Sequence, residues 1–245
     1  MNQKPFPCPA AEAMLDTLGP ILRETVLIEG RSYLIDHPGE TDRLIKLPAV
    51  HAAFARDEYV PYWADLWPAS RMLAKAILHE TWTPGTAALE IGCGLGLPGI
   101  VALSMGLTVT FSDYDACALR FAADNARLNG HDHFRTLQLD WRSPADDLRV
   151  PVILASDLVY ELRNVAPIVA FVKKVLSPGG VCLLTDQDRV PSHALKEMLQ
   201  EEGLPFTSKM MRAGEPGGRR LKGTLYRITK PAAASDLGEL PEAVV

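Results

Sequence analysis

The middle of the chain alternates short apolar runs with longer segments in which apolar residues recur at helical spacing. The first pattern is typical of buried strands, and the second is typical of helices packed on a sheet. Strands are predicted at 87–91, 108–112, 136–139, 152–156 and 181–185, and helices at 98–104, 116–129, 165–176 and 192–202. Because the two kinds of segment alternate, we expect an α/β fold with a doubly wound, mostly parallel sheet.

The C-terminal part of the chain predicts a change of strand direction. Strand patterns at 206–211 and 224–229 flank the segment Gly-Glu-Pro-Gly-Gly-Arg-Arg at 214–220. Glycine and proline in this arrangement favour the turn of a long hairpin. The sheet is therefore expected to contain seven strands and to end in an antiparallel hairpin.

The N-terminal part predicts a small cap on this sheet. A short helical pattern occupies 10–18, a second helical pattern occupies 70–79, and 25–36 has the pattern of two strands around Glu29-Gly30. The last residues are rich in alanine, proline and acids, which predicts disorder. The expected organisation is an N-terminal cap at 1–57, one α/β domain at 58–230 and a tail at 231–245.

Composition and charge narrow the classes of partner. With 245 residues, of which 47% are apolar, the chain can bury a substantial core. The net charge of −5 provides no overall attraction for the phosphate backbone of nucleic acid. A basic protein partner fits this charge better than a nucleic acid does.

Cysteines, histidines and apolar stretches exclude other classes. Cys8, Cys93, Cys117 and Cys182 have no CxxC spacing, and the six histidines have no HxxxH spacing, so we expect neither a metal site nor a disulfide framework. No secretory signal is recognisable, and the most apolar segment, 150–160, is shorter than the roughly 20 residues that a bilayer requires. We expect a soluble, cytoplasmic protein without a membrane partner, and its oligomeric state is left open.

The strongest chemical signal is the glycine-rich segment Glu90-Ile-Gly-Cys-Gly-Leu-Gly96. It leaves the first predicted core strand and enters a helix, which is where nucleotide-like ligands bind in a doubly wound sheet. Gly92, Gly94 and Gly96 allow the backbone to turn sharply and to approach a ligand closely. A purely structural glycine turn is the alternative interpretation.

The spacing of these glycines distinguishes between ligands. A dinucleotide site requires GxGxxG or GxGxxA, but Leu97 occupies the sixth position counted from Gly92. A pyrophosphate also needs helix-terminal amides, whereas S-adenosylmethionine has no phosphate and carries a cationic amino and sulfonium end. Glu90 can attract this cationic end. The loop therefore favours S-adenosylmethionine over NAD.

Two further acidic positions follow predicted strands and suit an adenosine ligand. Asp113 ends the second core strand, where a carboxylate can accept hydrogen bonds from both ribose hydroxyls. Asp140 and Trp141 follow the third strand, where an acid can accept the adenine amino group and an indole can pack on the ring. The structural alternatives are a helix cap for Asp113, and a turn residue and a sheet cover for Asp140 and Trp141.

These motifs together resemble the Rossmann-like, seven-strand class I methyltransferases, and particularly the protein-lysine methyltransferases of methyltransferase family 16. The resemblance extends over 58–229. Its most specific part is Ser156-Asp-Leu-Val-Tyr160 after the fourth strand, which matches an Asp-x-x-Tyr motif of that branch. Pro61-Tyr-Trp-Ala-Asp-Leu-Trp-Pro68 is similar to a Trp-Pro segment of lysine methyltransferases that act on the electron transfer flavoprotein β subunit. Asp186-Gln-Asp-Arg189 differs from their Asp-Pro-Gly-Arg.

The resemblance implies a set of site residues. Trp67 would border the cofactor, Cys93 belongs to the glycine loop as a small packing residue, and Ser156 begins the fourth-strand motif. Asp157, at the end of the fourth strand, and Tyr160, one helical turn further on, would be the catalytic residues. They could hydrogen-bond the acceptor amine and orient its lone pair. Positioning is assigned to Asp157 ahead of base catalysis, because a nearby carboxylate raises the pKa of an amine. The alternative is that Asp157 caps a helix and Tyr160 packs in the rim.

Three functions remain open after the sequence is considered. The resemblance favours S-adenosylmethionine-dependent N-methylation of a lysine side chain of a protein. The same core also serves N-methylation of a small molecule. A third function is binding of S-adenosylmethionine without transfer, as a partner module on another protein, which the intact Asp157 and Tyr160 disfavour.

Overall fold

The computed structural model of this chain describes residues 18–39, 41–214 and 220–232. Nearly all of the predicted helix at 10–18, the centre of the predicted turn at 214–220 and most of the predicted tail lie outside these residues. The described part begins with a hairpin of β1 (Ile21–Ile28) and β2 (Arg31–Pro38), followed by the short helices α1 (Thr41–Ile45) and α2 (Pro48–Asp57).

A seven-stranded sheet forms the centre of the molecule. Its strands are β3 (Ala87–Ile91), β4 (Thr108–Asp113), β5 (Arg135–Gln138), β6 (Val150–Ser156), β7 (Leu176–Asp186), β8 (Phe206–Ala213) and β9 (Leu221–Thr229). They are ordered β5-β4-β3-β6-β7-β9-β8, with β9 antiparallel to both of its neighbours and the other pairs parallel. The predicted seven-stranded, mostly parallel sheet with an antiparallel C-terminal pair is confirmed.

Helices cover both faces of this sheet. They are α3 (Pro68–His79), α4 (Leu97–Ser104), α5 (Ala116–Leu128), α6 (Leu162–Val175) and α7 (Pro191–Glu201). Successive side chains of a strand point to opposite faces. Accordingly, Leu183 of β7 packs with α3, α4 and α5, whereas Cys182 and Leu184 pack with α6 and α7. Burial on both faces explains why the core strands have continuous apolar runs.

Several boundaries differ from the prediction, and β7, for example, begins at Leu176 and not at 181. α6 begins at Leu162, before the predicted 165, and ends at Val175, because Leu176 pairs with Val150 and already belongs to β7. The hairpin strands extend beyond 25–36, although the turn at Glu29-Gly30 is as predicted, with positive φ at both residues. Helices α1 and α2 were not predicted, because their amphipathic pattern is short and weak.

Asn125 of α5 and Asn129, the C-cap of that helix, hydrogen-bond to the N-terminal hairpin. Asn125 is buried and bonds to the backbone N–H and carbonyl of Asp36 at 2.7 and 3.0 Å and to the carbonyl of Leu95 at 3.0 Å. One turn later, Asn129 bonds to the N–H and carbonyl of Leu34 at 2.9 and 2.7 Å. The side-chain amides thus pair with the outer edge of β2 as another strand would. The cap and the glycine loop are joined through Asn125.

Within the described ranges, no helix combines the length and the apolar character needed to span a membrane.

We expect Asn125→Ala to lower the free energy of unfolding by about 1–3 kcal/mol for each buried backbone group left without a partner. Urea denaturation measures this change. The matched control is Asp124→Ala, at an exposed position of the same helix whose ion pairs with Arg120 and Arg127 lie at the surface. Such pairs contribute little, so the control should change stability by less than about 1 kcal/mol. Equal losses in both variants would contradict the proposed fastening.

Candidate active site

The glycine loop connects β3 to α4 through three left-handed residues. The φ angles of Gly92, Gly94 and Gly96 are 58°, 52° and 83°, a region that other L-residues rarely adopt. Gly96 is the N-cap of α4, and Pro98 lies in the first turn, where its fixed φ suits a helix. The backbone conformation therefore explains why glycine recurs at every second position.

Two of these glycines also permit close packing. A Cβ atom on Gly96 would lie 2.9 Å from the Cβ of Ala122 in α5 and 3.2 Å from the ring of Phe111. A Cβ atom on Gly94 would lie 3.3 Å from the carbonyl oxygen of Trp63. The loop is thus held between α5 on one side and the segment that contains Trp63 on the other.

Glu90 lies beneath the loop and does not line the cavity. Its Oε2 accepts a hydrogen bond of 2.9 Å from the N–H of Gly99, and its Oε1 is buried with no hydrogen-bond partner among the described residues. Burial raises the pKa of Glu90 well above its usual value. The structure therefore places Glu90 as a support of the loop and of the start of α4, one layer below the position expected for a ligand contact.

Asp113, at the end of β4, faces the glycine loop. Its Oδ2 accepts from the N–H of Gly94 at 3.0 Å, and its Oδ1 accepts from the N–H of Asp115 at 2.9 Å. Burial raises the pKa of Asp113 to about 7, although these two N–H groups favour the ionised form. Asp115 is the N-cap of α5 and accepts from the N–H of Cys117. Asp113 therefore bonds to the glycine loop, whereas the helix is capped by Asp115.

A cavity of about 500 Å³ opens above the carboxyl ends of β3, β4 and β6. Its volume is within the range of small-molecule sites in proteins. All the predicted site residues except Glu90 line it: Trp67, Gly92, Cys93, Gly94, Gly96, Asp113, Asp140, Trp141, Ser156, Asp157 and Tyr160. The fold therefore brings these residues from five separate stretches of sequence to one cavity.

Asp140 and Trp141 form the end of the cavity beyond β5. Both oxygens of Asp140 accept from the Arg142 side chain, at 2.8 and 3.0 Å, and Oδ1 also accepts from the Arg142 N–H. The guanidinium of Arg142 lies 5.8 Å from the centre of the Tyr114 ring. The Trp141 ring lies close to Gly92, where a Cβ atom would reach it at 3.4 Å. This end combines an aromatic face with a paired carboxylate.

The roof of the cavity is a segment in which only Trp67 was predicted as a site residue. We call residues 58–67 the strap. Tyr59 donates a hydrogen bond to Asp115, and Trp63 donates to the Tyr59 hydroxyl at 3.3 Å and packs against Phe121 at 5.4 Å between ring centres. The Trp-Pro motif pointed to this segment, but no sequence signal indicated these partners. The strap is fixed to α5 and lies directly over the glycine loop.

Asp157 lies at the carboxyl end of β6 with a φ of 57°. A left-handed conformation is uncommon for a residue other than glycine and is concentrated at functional sites. Its carboxylate accepts from the Arg189 guanidinium at 2.7 and 3.2 Å and from Gln187 at 2.5 Å. Burial raises the pKa of Asp157, and the neighbouring Arg189 opposes this rise. Sequence analysis did not predict Arg189 or Gln187 as site residues.

Tyr160 lies in the loop between β6 and α6, and not one helical turn after Asp157, because α6 begins only at Leu162. Its ring meets the Tyr62 ring edge-on, with centres 5.2 Å apart, and Tyr62 in turn meets Trp67 at 5.8 Å. Burial raises the pKa of Tyr160 to about 12. Three aromatic rings thus border the part of the cavity that contains Asp157.

The described part of the chain contains three cysteines. Cys93 and Cys182 are buried free thiols, and burial raises the pKa of both. Cys117 is disulfide-bonded, which the spacing of the cysteines did not predict. In the ranges that the structure covers, no group of three or more His, Cys, Asp or Glu side chains is arranged to hold a metal ion.

Comparison with known proteins identifies the family. A profile described as lysine methyltransferase, that of methyltransferase family 16, matches residues 61–202, more than half of the chain. The chain belongs to methyltransferase family 16. The match begins in the strap and ends after α7, so it includes all the predicted site residues that line the cavity. Family membership confirms the resemblance that the motifs indicated.

The curated relatives of this chain include enzymes named for different protein side chains. The human histone-arginine methyltransferase METTL23 is 33% identical over 43% of this chain and 59% of the relative. The histidine protein methyltransferase 1 homolog of Dictyostelium discoideum is 34% identical over 50% of this chain and 42% of the relative. Protein-lysine N-methyltransferase rrg1 of Schizosaccharomyces pombe is 25% identical over 84% and 67%. The chain spans only 48% to 59% of the three METTL23 proteins it matches.

Solved structures share the fold of this family member. The N-methyltransferase NodS of Bradyrhizobium japonicum, in complex with S-adenosyl-L-homocysteine, superposes with a TM-score of 0.53 at 16% identity, over 70% of this chain and 92% of NodS. The ribosomal protein L11 methylase of Lactobacillus delbrueckii gives a TM-score of 0.54 at 17% identity, over 66% and 78%. At these identities the likeness concerns the fold alone, and it confirms the Rossmann-like methyltransferase fold.

Two glycines with the same backbone conformation test the packing of the loop. Gly96 and Gly130 have φ angles of 83° and 81°, but nothing lies within 4 Å of a Cβ atom at Gly130. We expect Gly130→Ala to cost about 1–2 kcal/mol through backbone strain alone. Gly96→Ala should cost more and should also weaken binding of S-adenosylhomocysteine, because the new methyl group displaces the loop from α5. Urea denaturation and calorimetric titration measure the two effects, and similar results for both variants would contradict the packing argument.

The pKa of Asp113 predicts that binding of an adenosyl ligand in this cavity depends on pH. If ribose hydroxyls donate to the ionised carboxylate, a proton must leave Asp113 before binding at any pH below about 7. Affinity for S-adenosylhomocysteine, measured by calorimetry, should therefore fall about tenfold from pH 8 to pH 6, as expected for one proton. Asp113→Asn should bind more weakly and lose this dependence. A wild-type affinity that stays constant over this range would exclude the ribose contact.

Proposed function

We propose that this chain is an S-adenosylmethionine-dependent methyltransferase that N-methylates a lysine side chain of a protein. The observation that carries the proposal is the position of Asp157 and Tyr160 in the same cavity as the glycine loop. A site for the methyl donor and a site for an acceptor amine are therefore continuous. Transfer of a methyl group requires this continuity, since donor and acceptor must be aligned.

The donor half of the cavity has the features that an adenosyl ligand needs. The backbone of Gly92 to Gly96 lies open to the cavity without side chains at the glycines, and Asp113 presents a carboxylate at the end of β4. We assign the ribose contact to Asp113, the adenine contacts to Asp140 and Trp141, and the boundary of the donor site to Trp67, Cys93 and Ser156. Glu90 contributes indirectly, by holding the start of α4.

When bound, S-adenosylmethionine supplies a methyl group that is already activated by its sulfonium. The chain must then position a neutral amine and exclude water. The strap roofs the cavity, and the rings of Tyr62, Trp67 and Tyr160 surround its acceptor end. These rings form an apolar lining, which favours the uncharged form of an amine. Asp157 and the hydroxyl of Tyr160 can accept its hydrogen bonds and orient the lone pair.

The relatives support a protein acceptor. Enzymes named for arginine, histidine and lysine side chains of proteins match this chain, and the family profile is described as lysine methyltransferase. The names share a protein substrate and differ in the side chain. Lysine is favoured here by the family description and by the Asp-x-x-Tyr motif, which places a carboxylate where an amine would be received.

Labelling of cell proteins tests the proposal. Purified protein is incubated with methyl-labelled S-adenosylmethionine and a lysate of its source cells, and methylated amino acids are identified after hydrolysis of the labelled band. We expect methyl-lysine from the wild type and at least about a tenfold loss with Asp157→Asn, because the amide has the shape of the carboxylate but not its charge. Asp124→Asn, on the exposed side of α5, serves as the matched control and should retain wild-type labelling.

The other outcomes separate the alternatives. Methyl-arginine or methyl-histidine would retain a protein methyltransferase and overturn the lysine assignment. Label confined to small molecules would indicate a small-molecule N-methyltransferase. Cofactor binding measured by calorimetry without any transfer would indicate the non-catalytic binding module.

A further inference from the structure

Asp157 is ion-paired on the face that borders the cavity. The two terminal nitrogens of Arg189 lie 2.7 and 3.2 Å from Oδ1 and Oδ2, which is the bidentate arrangement of a strong arginine–carboxylate pair. Gln187 donates a further hydrogen bond to Oδ2. Each carboxylate oxygen therefore has at least one donor from the segment that follows β7. The charge of Asp157 is balanced before any ligand enters.

Arg189 is itself held at the cavity wall. Its guanidinium lies 5.9 Å from the centre of the Trp67 ring, at a distance where cation–π attraction operates. Arg189 also lines the cavity together with Trp67 and Asp157. The guanidinium thus connects the end of the strap to the end of β6, and its position is determined from both sides.

The remaining charges near Asp157 do not replace this cation. From β7, Asp186 adds a second negative charge and raises the pKa of Asp157, while its Oδ2 accepts from Ser192 and from the N–H of Asp188. At the start of α6, Arg163 pairs with Glu161 and with Glu58 of the strap. Among the described residues, Arg189 is the cation that bonds directly to the Asp157 carboxylate.

The neutralisation of Asp157 by Arg189 bears on the protonation of the acceptor amine. A lysine amine must lose its proton before it can accept a methyl group. An uncompensated carboxylate close to the amine stabilises the ammonium form and raises the amine's pKa, whereas a carboxylate already paired with a guanidinium exerts little net attraction. Such a pair can still accept a hydrogen bond through a remaining lone pair.

We infer that Arg189 is a positioning residue that neutralises Asp157, so that the carboxylate orients the acceptor amine without holding it in the protonated form. The inference rests on the proposed function, because it concerns the amine that Asp157 receives. It assigns to the segment after β7 a part in the reaction that the Asp-x-x-Tyr motif alone does not contain.

The first test is the pH profile of methyl transfer within the complex. The acceptor identified from the labelled band is purified and held below the enzyme concentration, with saturating methyl-labelled S-adenosylmethionine, so that the rate constant reports the bound acceptor. In Arg189→Met we expect the midpoint of the rise in rate to shift upward by about one pH unit or more, with recovery at high pH. Arg189→Lys retains the charge and should keep a midpoint near that of the wild type.

The second test does not depend on turnover. The carbon-13 carboxyl resonance of Asp157, assigned by its disappearance in Asp157→Asn, is titrated in each variant. Its midpoint should rise in Arg189→Met and change little in Arg189→Lys. Thermal unfolding and S-adenosylhomocysteine binding are measured in parallel. Arg189→Met should unfold at a lower temperature, because it leaves a buried carboxylate without its partner. A cooperative unfolding transition and near-wild-type S-adenosylhomocysteine binding identify a folded variant.

Three results would overturn the inference. One is an unchanged rate midpoint in a folded Arg189→Met protein, and another is an unchanged Asp157 titration in that variant. The third is faster transfer at every pH, which would mean that Arg189 competes with the acceptor for Asp157. A wild type that labels no protein removes the proposed function and this inference with it, whereas a labelling wild type with unshifted variants removes the inference alone.

Discussion

The reversal of strand order at β3 is the constraint on which the rest of this structure depends. β3 pairs with β4 on one side and with β6 on the other, so the connections that leave β3 and β6 diverge to opposite faces of the sheet. A crevice must open where they separate, outside the carboxyl ends of the strands. The glycine loop, Asp113 and Asp157 each follow one of these strand ends, which is why residues far apart in sequence share one cavity.

Burying carboxylates around this cavity costs free energy. Glu90, Asp113, Asp115 and Asp157 are all largely withdrawn from water, and burial raises the pKa of each. The fold offsets this cost differently at each position. Backbone N–H groups serve Glu90 and Asp113, a helix terminus and a tyrosine serve Asp115, and a guanidinium serves Asp157. Only the last carries a full opposite charge, which makes the acceptor end electrostatically distinct from the donor end.

The N-terminal cap is coupled to the cavity through α5. This helix receives the hairpin through Asn125 and Asn129, is capped by Asp115 and packs against Gly96. The strap is fixed to the same helix end through Tyr59. The hairpin, the strap and the glycine loop therefore all contact the same helix. The division into an N-terminal cap and an α/β domain remains a prediction.

Local sequence patterns predicted the core strands, the glycine loop and most of the cavity residues. Apolar runs predicted the core strands, glycine spacing predicted the loop, and acids that follow strands predicted the cavity residues, because each feature is decided within a few neighbouring residues. Only the tertiary structure decided that Glu90 lies below the cavity, that Tyr160 stands in a loop, and that Arg189 reaches Asp157 across 32 positions and Tyr59 reaches Asp115 across 56. Such contacts form because the strand order brings distant segments to the same edge of the sheet. A pattern of neighbouring residues does not specify that order.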